Sequence, residues 1–146
     1  MHKSILNIPI IIFFICIAAV LVNIVSSIYF ISIMFLGIIF LAFEQSLKNK
    51  QYYTLGLIVL SFLFLEINMG FTPFSLSLLA FFSHSFILPN LIRVVSFSNV
   101  SNYVHVLWFY SSALVLFSLS NDISFSLIFS ILLNIIIDLI IVGLFI

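Results

Sequence analysis

The chain has 146 residues, of which 65% are hydrophobic and only 5% charged, and its mean hydropathy is +1.47. A soluble domain carries charge on about a quarter of its residues, so this composition excludes a soluble globular protein and predicts an all-α polytopic membrane protein. The formal net charge is zero, and without a basic patch the chain is not expected to bind nucleic acid.

The apolar runs predict six transmembrane helices in a single transmembrane domain that covers residues 1–146. A span needs about 20 apolar residues, or fewer where the bilayer thins. The predicted spans cover approximately residues 9–22, 28–43, 52–69, 73–88, 103–119 and 123–146.

The first two spans form a predicted hairpin. Asn7 followed by Pro9 resembles a helix cap and a first-turn proline, which opens the first span. Residues 23–27 are the one weakly polar break before the second apolar run. Because both runs together are too long for one span, we predict an external turn at Asn23–Ser27.

The third span follows the most polar segment of the chain, Glu44–Gln51, which we predict to be an aqueous loop. A pair between Glu44 and Lys48, one helical turn apart, would extend the second helix slightly. Tyr52 and Tyr53 are expected to anchor the start of the third span at the membrane interface.

The remaining spans are separated by proline and by short polar segments. Thr72 and Pro73 match the N-cap and first position of the fourth span, and Pro89 either ends or kinks that helix. Residues 90–102 are expected to form a longer loop. A short external turn at Ser120–Asp122 precedes the sixth span.

The orientation follows from the four basic residues, Lys3, Lys48, Lys50 and Arg93. With six spans all four fall on one face of the bilayer, and Lys and Arg are retained on the cytoplasmic side during insertion. Both termini are therefore expected in the cytoplasm.

A polar stripe runs along the sixth span, where four polar residues recur at every fourth position. The stripe consists of Ser126, Ser130, Asn134 and Asp138. Small and polar residues at this spacing let helices approach closely and hydrogen-bond within lipid. The stripe is either a face that contacts a partner or a face that packs inside the chain's own bundle.

Two further ionisable residues lie within predicted spans, where a charge is costly. Glu66 lies one turn from the end of the third span and shares a face with Gly70. Glu66 either reaches the hydrated interface or makes a buried contact that orders the turn into the Thr72–Pro73 cap. His84 lies in the middle of the fourth span, where we expect a neutral, hydrogen-bonded imidazole.

Catalytic chemistry is not expected from this sequence. No His, Cys, Asp or Glu cluster has the spacing of metal ligands, and no nucleophile shares a face with a base. No glycine-rich phosphate loop occurs. We therefore expect no catalytic residues, no metal and no cofactor.

The third and fourth spans carry a family resemblance. Gly56 lies in a helix that ends at an acidic residue, Glu66, with Gly70 four residues later, followed by a short turn and an Ala/Leu-rich span. This arrangement resembles the rod-shape-determining protein MreD family over about residues 30–85. Two departures are that Glu66 stands where that family usually has Asp, and that Thr72–Pro73 replaces a second glycine.

The resemblance implies a non-catalytic scaffold subunit in a bacterial inner membrane that supports cell shape and peptidoglycan elongation. It implies membrane lipid as the surroundings, and an MreC-like protein and a RodA–penicillin-binding synthase pair as partners. It also implies that Glu66 and Gly70 shape the hairpin rather than bind a ligand.

One alternative from another class remains open, a substrate-binding membrane subunit of a vitamin or small-molecule importer. Such a subunit needs a solute pocket, for which Glu66 and Asn68, together with Asn121 or Asp122, are the candidates. A lipid-linked-sugar translocation protein is a third possibility without a specific motif.

Overall fold

The computed structural model describes residues 6, 8–29, 33–94, 98–120 and 125–145, without the side chains of residues 92–99, 120 and 145. The predicted roles of Lys3, Asn7, Asn121 and Asp122, and the side chain of Arg93, lie outside this part of the chain. The described residues form helices and short turns, with no strand among them. The helices are α1 (Pro9–Ile28), α2 (Leu36–Lys48), α3 (Tyr52–Met69), α4 (Ser75–Phe82), α5 (Leu88–Val94), α6 (Ser98–Ser120) and α7 (Phe125–Phe145).

Four of these helices, α1, α3, α6 and α7, are long and apolar enough to cross a membrane. Only 22% to 33% of the residues in their apolar windows are buried inside the bundle. The rest of these surfaces consists mainly of large apolar side chains, which is the surface expected of helices that face lipid. The molecule therefore has the character of a membrane protein.

Helix α1 begins at Pro9 as predicted, but the predicted turn at Asn23–Ser27 is wrong because α1 continues to Ile28. The short polar side chains in this region hydrogen-bond to a neighbouring segment instead of bending their own backbone. The Asn23 amide donates to the Ile33 carbonyl at 2.7 Å, and Ser26 Oγ accepts from the Ile33 N–H at 3.1 Å. At 1.5 Å per residue the helix is about 30 Å long.

Helix α2 differs most from prediction, because it begins at Leu36 rather than near residue 28. Its 13 residues extend about 20 Å, which is less than a bilayer core of about 30 Å, so the second span would include the non-helical residues 33–35 as well as α2. All residues from Leu36 to Glu44 are buried, in contact with α1, α3, α6 and α7. A helix that is apolar on all sides belongs in the interior, and α2 forms the centre of the bundle.

The core around α2 is built from aromatic rings. Phe40 stacks on Phe109 of α6 with ring centroids 4.3 Å apart, and Phe62 of α3 lies 5.8 Å from Phe109. All three side chains are fully buried. Aromatic pairs at such separations add to the stability that burial provides, so α2, α3 and α6 are packed together as one unit.

The segment Glu44–Gln51 is mostly helical, and its prediction as an aqueous loop is wrong. Helix α2 continues to Lys48, and a short turn at residues 49–51 leads into α3. Glu44 is buried, because its carboxylate finds partners on α2 and α6. Helix α3 has the predicted bounds.

The fourth helix begins later and ends later than predicted. Thr72 and Pro73 precede it in the turn, and α4 starts at Ser75, so the prediction of Thr72 as N-cap and Pro73 as first position is wrong. A π-helical turn at Ser83–Ile87 then joins α4 to α5, and the helix passes through Pro89. Proline lacks an N–H and crowds the carbonyl four residues earlier, and a π-turn widens the helix at such a place.

Helices α6 and α7 both pack against α2. Much of the predicted loop at residues 90–102 is helical, since α5 reaches Val94 and α6 begins at Ser98. Helix α7 covers Phe125–Phe145 of the predicted span 123–146, and the other residues of that span lie outside the described part of the chain. The two helices run antiparallel and touch where Gly143 faces the Tyr103 hydroxyl: a Cβ at Gly143 would lie 2.8 Å from that oxygen.

Candidate functional site

The start of α2 lies inside the bundle, against the middle of α6 and α7. Its N-cap residue, Phe35, has φ 49° and ψ 29° and provides no side-chain cap. A helix start leaves N–H groups that need acceptors, and within a membrane water cannot supply them. Helix α7 supplies them instead: Asn134 Oδ1 accepts from the Met34 N–H at 2.7 Å, and Asp138 Oδ2 accepts from the Gly37 N–H at 2.8 Å.

Asp138 is fully buried and binds two donors with one carboxylate oxygen. Besides the Gly37 N–H, Oδ2 accepts from the Tyr110 hydroxyl of α6 at 2.8 Å, while Oδ1 has no hydrogen-bond partner among the described residues. A carboxylate at a helix N-terminus gains from the helix dipole, by about 0.3–1 kcal/mol at exposed sites and up to about 2 kcal/mol in partly buried ones. Asp138 therefore joins α2, α6 and α7 through a single oxygen.

Gly37 makes this approach possible. A Cβ at this position would lie 2.6 Å from Val106 Cγ1 and 2.8 Å from Asp138 Oδ2. Both distances are shorter than ordinary van der Waals contacts, and a closely packed interior adjusts poorly to added volume. The space that a side chain would fill is occupied by the carboxylate that caps the helix.

The non-helical backbone before α2 is satisfied from the opposite side by α1. Asn23 donates to the Ile33 carbonyl, and Ser26 accepts from the Ile33 N–H. Asn68 of α3 holds the Asn23 amide by donating to its Oδ1 at 2.6 Å. We call Asn23, Ser26, Tyr110, Asn134 and Asp138 the α2 cap cluster, because all five side chains serve the beginning of this helix.

The predicted polar stripe divides between the interior and the surface. Asn134 and Asp138 are fully buried, whereas Ser130 is half-buried and Ser126 is exposed. Four residues exceed one helical turn of 3.6 residues by about 40°, so the stripe rotates out of the bundle toward its N-terminal end. The end with Asn134 and Asp138 packs against the chain's own helices.

Glu66 performs the same task for α4 that Asp138 performs for α2. It is fully buried, and its two oxygens accept from the Phe74 N–H at 2.6 Å and the Leu76 N–H at 2.5 Å. Phe74, the N-cap residue, has φ 66° and no side-chain cap. Two alternatives were predicted for Glu66, and the structure shows the buried contact. The N–H groups that bind its carboxylate belong to Phe74 and Leu76 rather than to the predicted Thr72–Pro73 cap.

Gly70 completes this turn. It ends α3 with φ 76°, in the left-handed region that favours glycine, and the next N–H, of Phe71, returns to the Glu66 carbonyl at 2.9 Å. This geometry is a common helix C-terminal motif. The exposed residues Thr72 and Pro73 then lead to the capped start of α4.

A third ionisable cluster combines the predicted pair of Glu44 and Lys48, which the structure confirms, with His105, which was not predicted. His105 Nδ1 lies 2.9 Å from Glu44 Oε2, both side chains are buried, and Lys48 binds the other oxygen of Glu44. Ser101 Oγ is 3.2 Å from His105 Nε2. This cluster ties the end of α2 to α6. The sequence places Glu44 and His105 61 residues apart, and nothing in the local pattern indicates that they meet.

The other predicted site residues do not join these clusters. His84 lies half-buried in the π-turn, and its Nδ1 has no hydrogen-bond partner within the described part of the chain. Gly56 is exposed on α3, and a Cβ there would meet nothing within 4 Å. Within the described ranges, no group of three or more His, Cys, Asp and Glu residues could hold a metal ion.

The solute pocket that an importer subunit needs is not assembled from its described candidates. Glu66 points at the backbone of α4, whereas Asn68 donates to Asn23 of α1. These side chains therefore serve different elements.

Comparison of the chain with protein-family models, curated proteins and solved structures gives no match.

Proposed function

We propose that this protein is a non-catalytic scaffold subunit of a bacterial inner membrane, with six spans and both termini in the cytoplasm. It acts through contacts of its outer helix faces with other membrane proteins. The proposal rests on the contacts that the two carboxylates within the spans make. Glu66 and Asp138 both accept backbone N–H groups of this chain, so they stabilise its architecture.

The outer surface supports the same proposal. The four long helices keep most of their surface outside the bundle, with exposed residues such as Leu119 on α6 and Leu132 on α7. Helices in lipid associate through close packing of such faces. The faces of α6 and α7 are the candidates for contact with partners.

The process served is proposed from the resemblance to the MreD family over residues 30–85. Glu66 and Gly70 shape the turn between α3 and α4, which is the role that the resemblance implies. We therefore propose peptidoglycan elongation and cell shape as the process, with an MreC-like protein and a RodA–penicillin-binding synthase pair as the partners.

Photo-cross-linking in the native membrane tests this proposal. A photoreactive phenylalanine analogue at Leu119 or Leu132 is expected to capture proteins of the cell-wall elongation machinery. The same analogue at Phe109, which is fully buried, is the control and should capture none. Capture of a transporter core, together with thermal stabilisation by a vitamin, would replace the scaffold with the importer subunit.

A further inference from the structure

A groove follows the outer side of the seam between α1 and α3. It consists of two adjoining depressions of about 290 Å³ and 260 Å³ that share Leu57. One end lies between Pro9 and Tyr53, where both helices begin, and the other lies between Leu21 and Phe64. We call this feature the α1–α3 groove.

The length of the α1–α3 groove corresponds to one leaflet. Phe64 lies 11 residues beyond Tyr53 on α3, which is about 16 Å along a helix at 1.5 Å per residue. Half of a bilayer core of about 30 Å is about 15 Å. A partner helix that crosses the whole bilayer core would need a groove about twice as long as this one.

The walls of the groove are apolar and open on one side. Ile10, Leu21 and Leu60 are more than half exposed, and each lines the groove.

One end of the groove lies at the start of α3, where Tyr53 lines it and the turn at residues 49–51 precedes the helix. Lys50 is exposed in the turn before α3, and Lys48 is half exposed at the end of α2, where it is paired with Glu44. Tyr52 and Tyr53 are 74% and 98% exposed, as expected of aromatic residues at the level of lipid headgroups. Lysines near a membrane surface attract anionic lipids by about 1 kcal/mol each.

We propose that the α1–α3 groove binds an anionic glycerophospholipid of the leaflet adjoining Lys48 and Lys50. One acyl chain lies along Leu57 between the two helices. The phosphate lies at the basic end, where Lys50 supplies positive charge and Tyr53 a hydroxyl donor. This site is independent of the partners that the scaffold contacts through α6 and α7.

Native mass spectrometry of the full chain in detergent tests the site, with phosphatidylglycerol and phosphatidylcholine of identical acyl chains as probes. The wild type is expected to retain one phosphatidylglycerol in preference to phosphatidylcholine. Lys50→Gln should reduce that preference about fivefold, the equivalent of about 1 kcal/mol. Leu57→Trp fills the groove and should abolish retention of both lipids.

The control is Leu78→Trp, which makes the same change at an exposed leucine of α4 outside the groove and should leave retention unchanged. Leu60→Trp, at a more exposed position than Leu57, repeats the test if Leu57→Trp does not fold. Equal retention of the two lipids by the wild type would overturn the proposal. A dimer lost on filling the groove would overturn it too, because the groove would then hold a second copy of the chain.

Discussion

Replacing Asp138 with leucine tests whether α7 holds the start of α2. The change removes the acceptor for the Gly37 N–H and for the Tyr110 hydroxyl. A buried donor left without an acceptor costs about 1–3 kcal/mol, so the two together predict a loss of about 2–6 kcal/mol in the free energy of unfolding. Asp138→Asn keeps one oxygen and loses the charge, and its expected cost is smaller, about 1–2 kcal/mol.

The assay is equilibrium unfolding in mixed micelles, followed by the fluorescence of Trp108, the one tryptophan of the chain. Ser126→Leu is the matched control: it lies on the same helix, but the residue is exposed, and its effect should stay within about 0.5 kcal/mol. Asp138→Leu should therefore lower stability far more than Ser126→Leu.

A double-mutant cycle with Tyr110→Phe makes the test stricter. Alone, Tyr110→Phe removes a donor to the carboxylate and should destabilise the protein. In the Asp138→Leu background it removes a donor that has already lost its acceptor, so it should be neutral or stabilising. If the two costs simply add, or if Asp138→Leu is as mild as Ser126→Leu, the assignment of Asp138 as the cap of α2 is refuted.

Three further predictions concern other contacts of the fold. Gly37→Ala should lower the free energy of unfolding by about 1–3 kcal/mol through overpacking. Gly56→Ala, whose Cβ would have no described atom within 4 Å, should raise it by up to about 1 kcal/mol through helix propensity. If Gly37→Ala unfolds at a higher temperature than Gly56→Ala, the packing described around Gly37 is contradicted. Glu66→Ala should speed hydrogen exchange in the first turn of α4 at least about tenfold, and unchanged protection there would show that the carboxylate is not the cap. His105→Leu should lower the free energy of unfolding by about 1–3 kcal/mol, because the buried Glu44 Oε2 loses its partner while Lys48 still binds Oε1. Lys48→Gln, at a half-exposed pair, should change it by less than about 1 kcal/mol. Equal losses would show that the buried contact is no stronger than the exposed one.

Local signals predicted the helices whose ends are marked by their own residues. Helix α3 begins at Tyr52 after the polar turn and ends before Gly70, whose left-handed conformation stops it. The buried contact of Glu66 is one of the two alternatives that the sequence offers, because the N–H groups that donate to its carboxylate lie within ten residues. In these cases, residues that are close in the sequence are also the ones that contact each other in the structure.

Prediction failed where a polar residue bonds far along the chain. Asn23 looks like a turn residue, but it lies within α1 and serves the backbone at Ile33. Glu44 looks like a loop residue, but His105 makes its burial possible. The π-turn before Pro89 also requires knowledge of the packing around the helix. For Asn23 and Glu44, the residue type indicates a polar contact, but the sequence does not indicate which distant residue makes it.

The reliance of α2 on α7 also constrains the order of events during synthesis. Met34 and Gly37 find their acceptors 100 and 101 residues later in the chain. At about 5–20 residues per second, a ribosome needs roughly 5 to 20 s to add that many residues. Until the last helix has left the ribosome, the innermost helix of the bundle has no permanent acceptors for its first turn, so the centre of this protein is among the last parts to be completed.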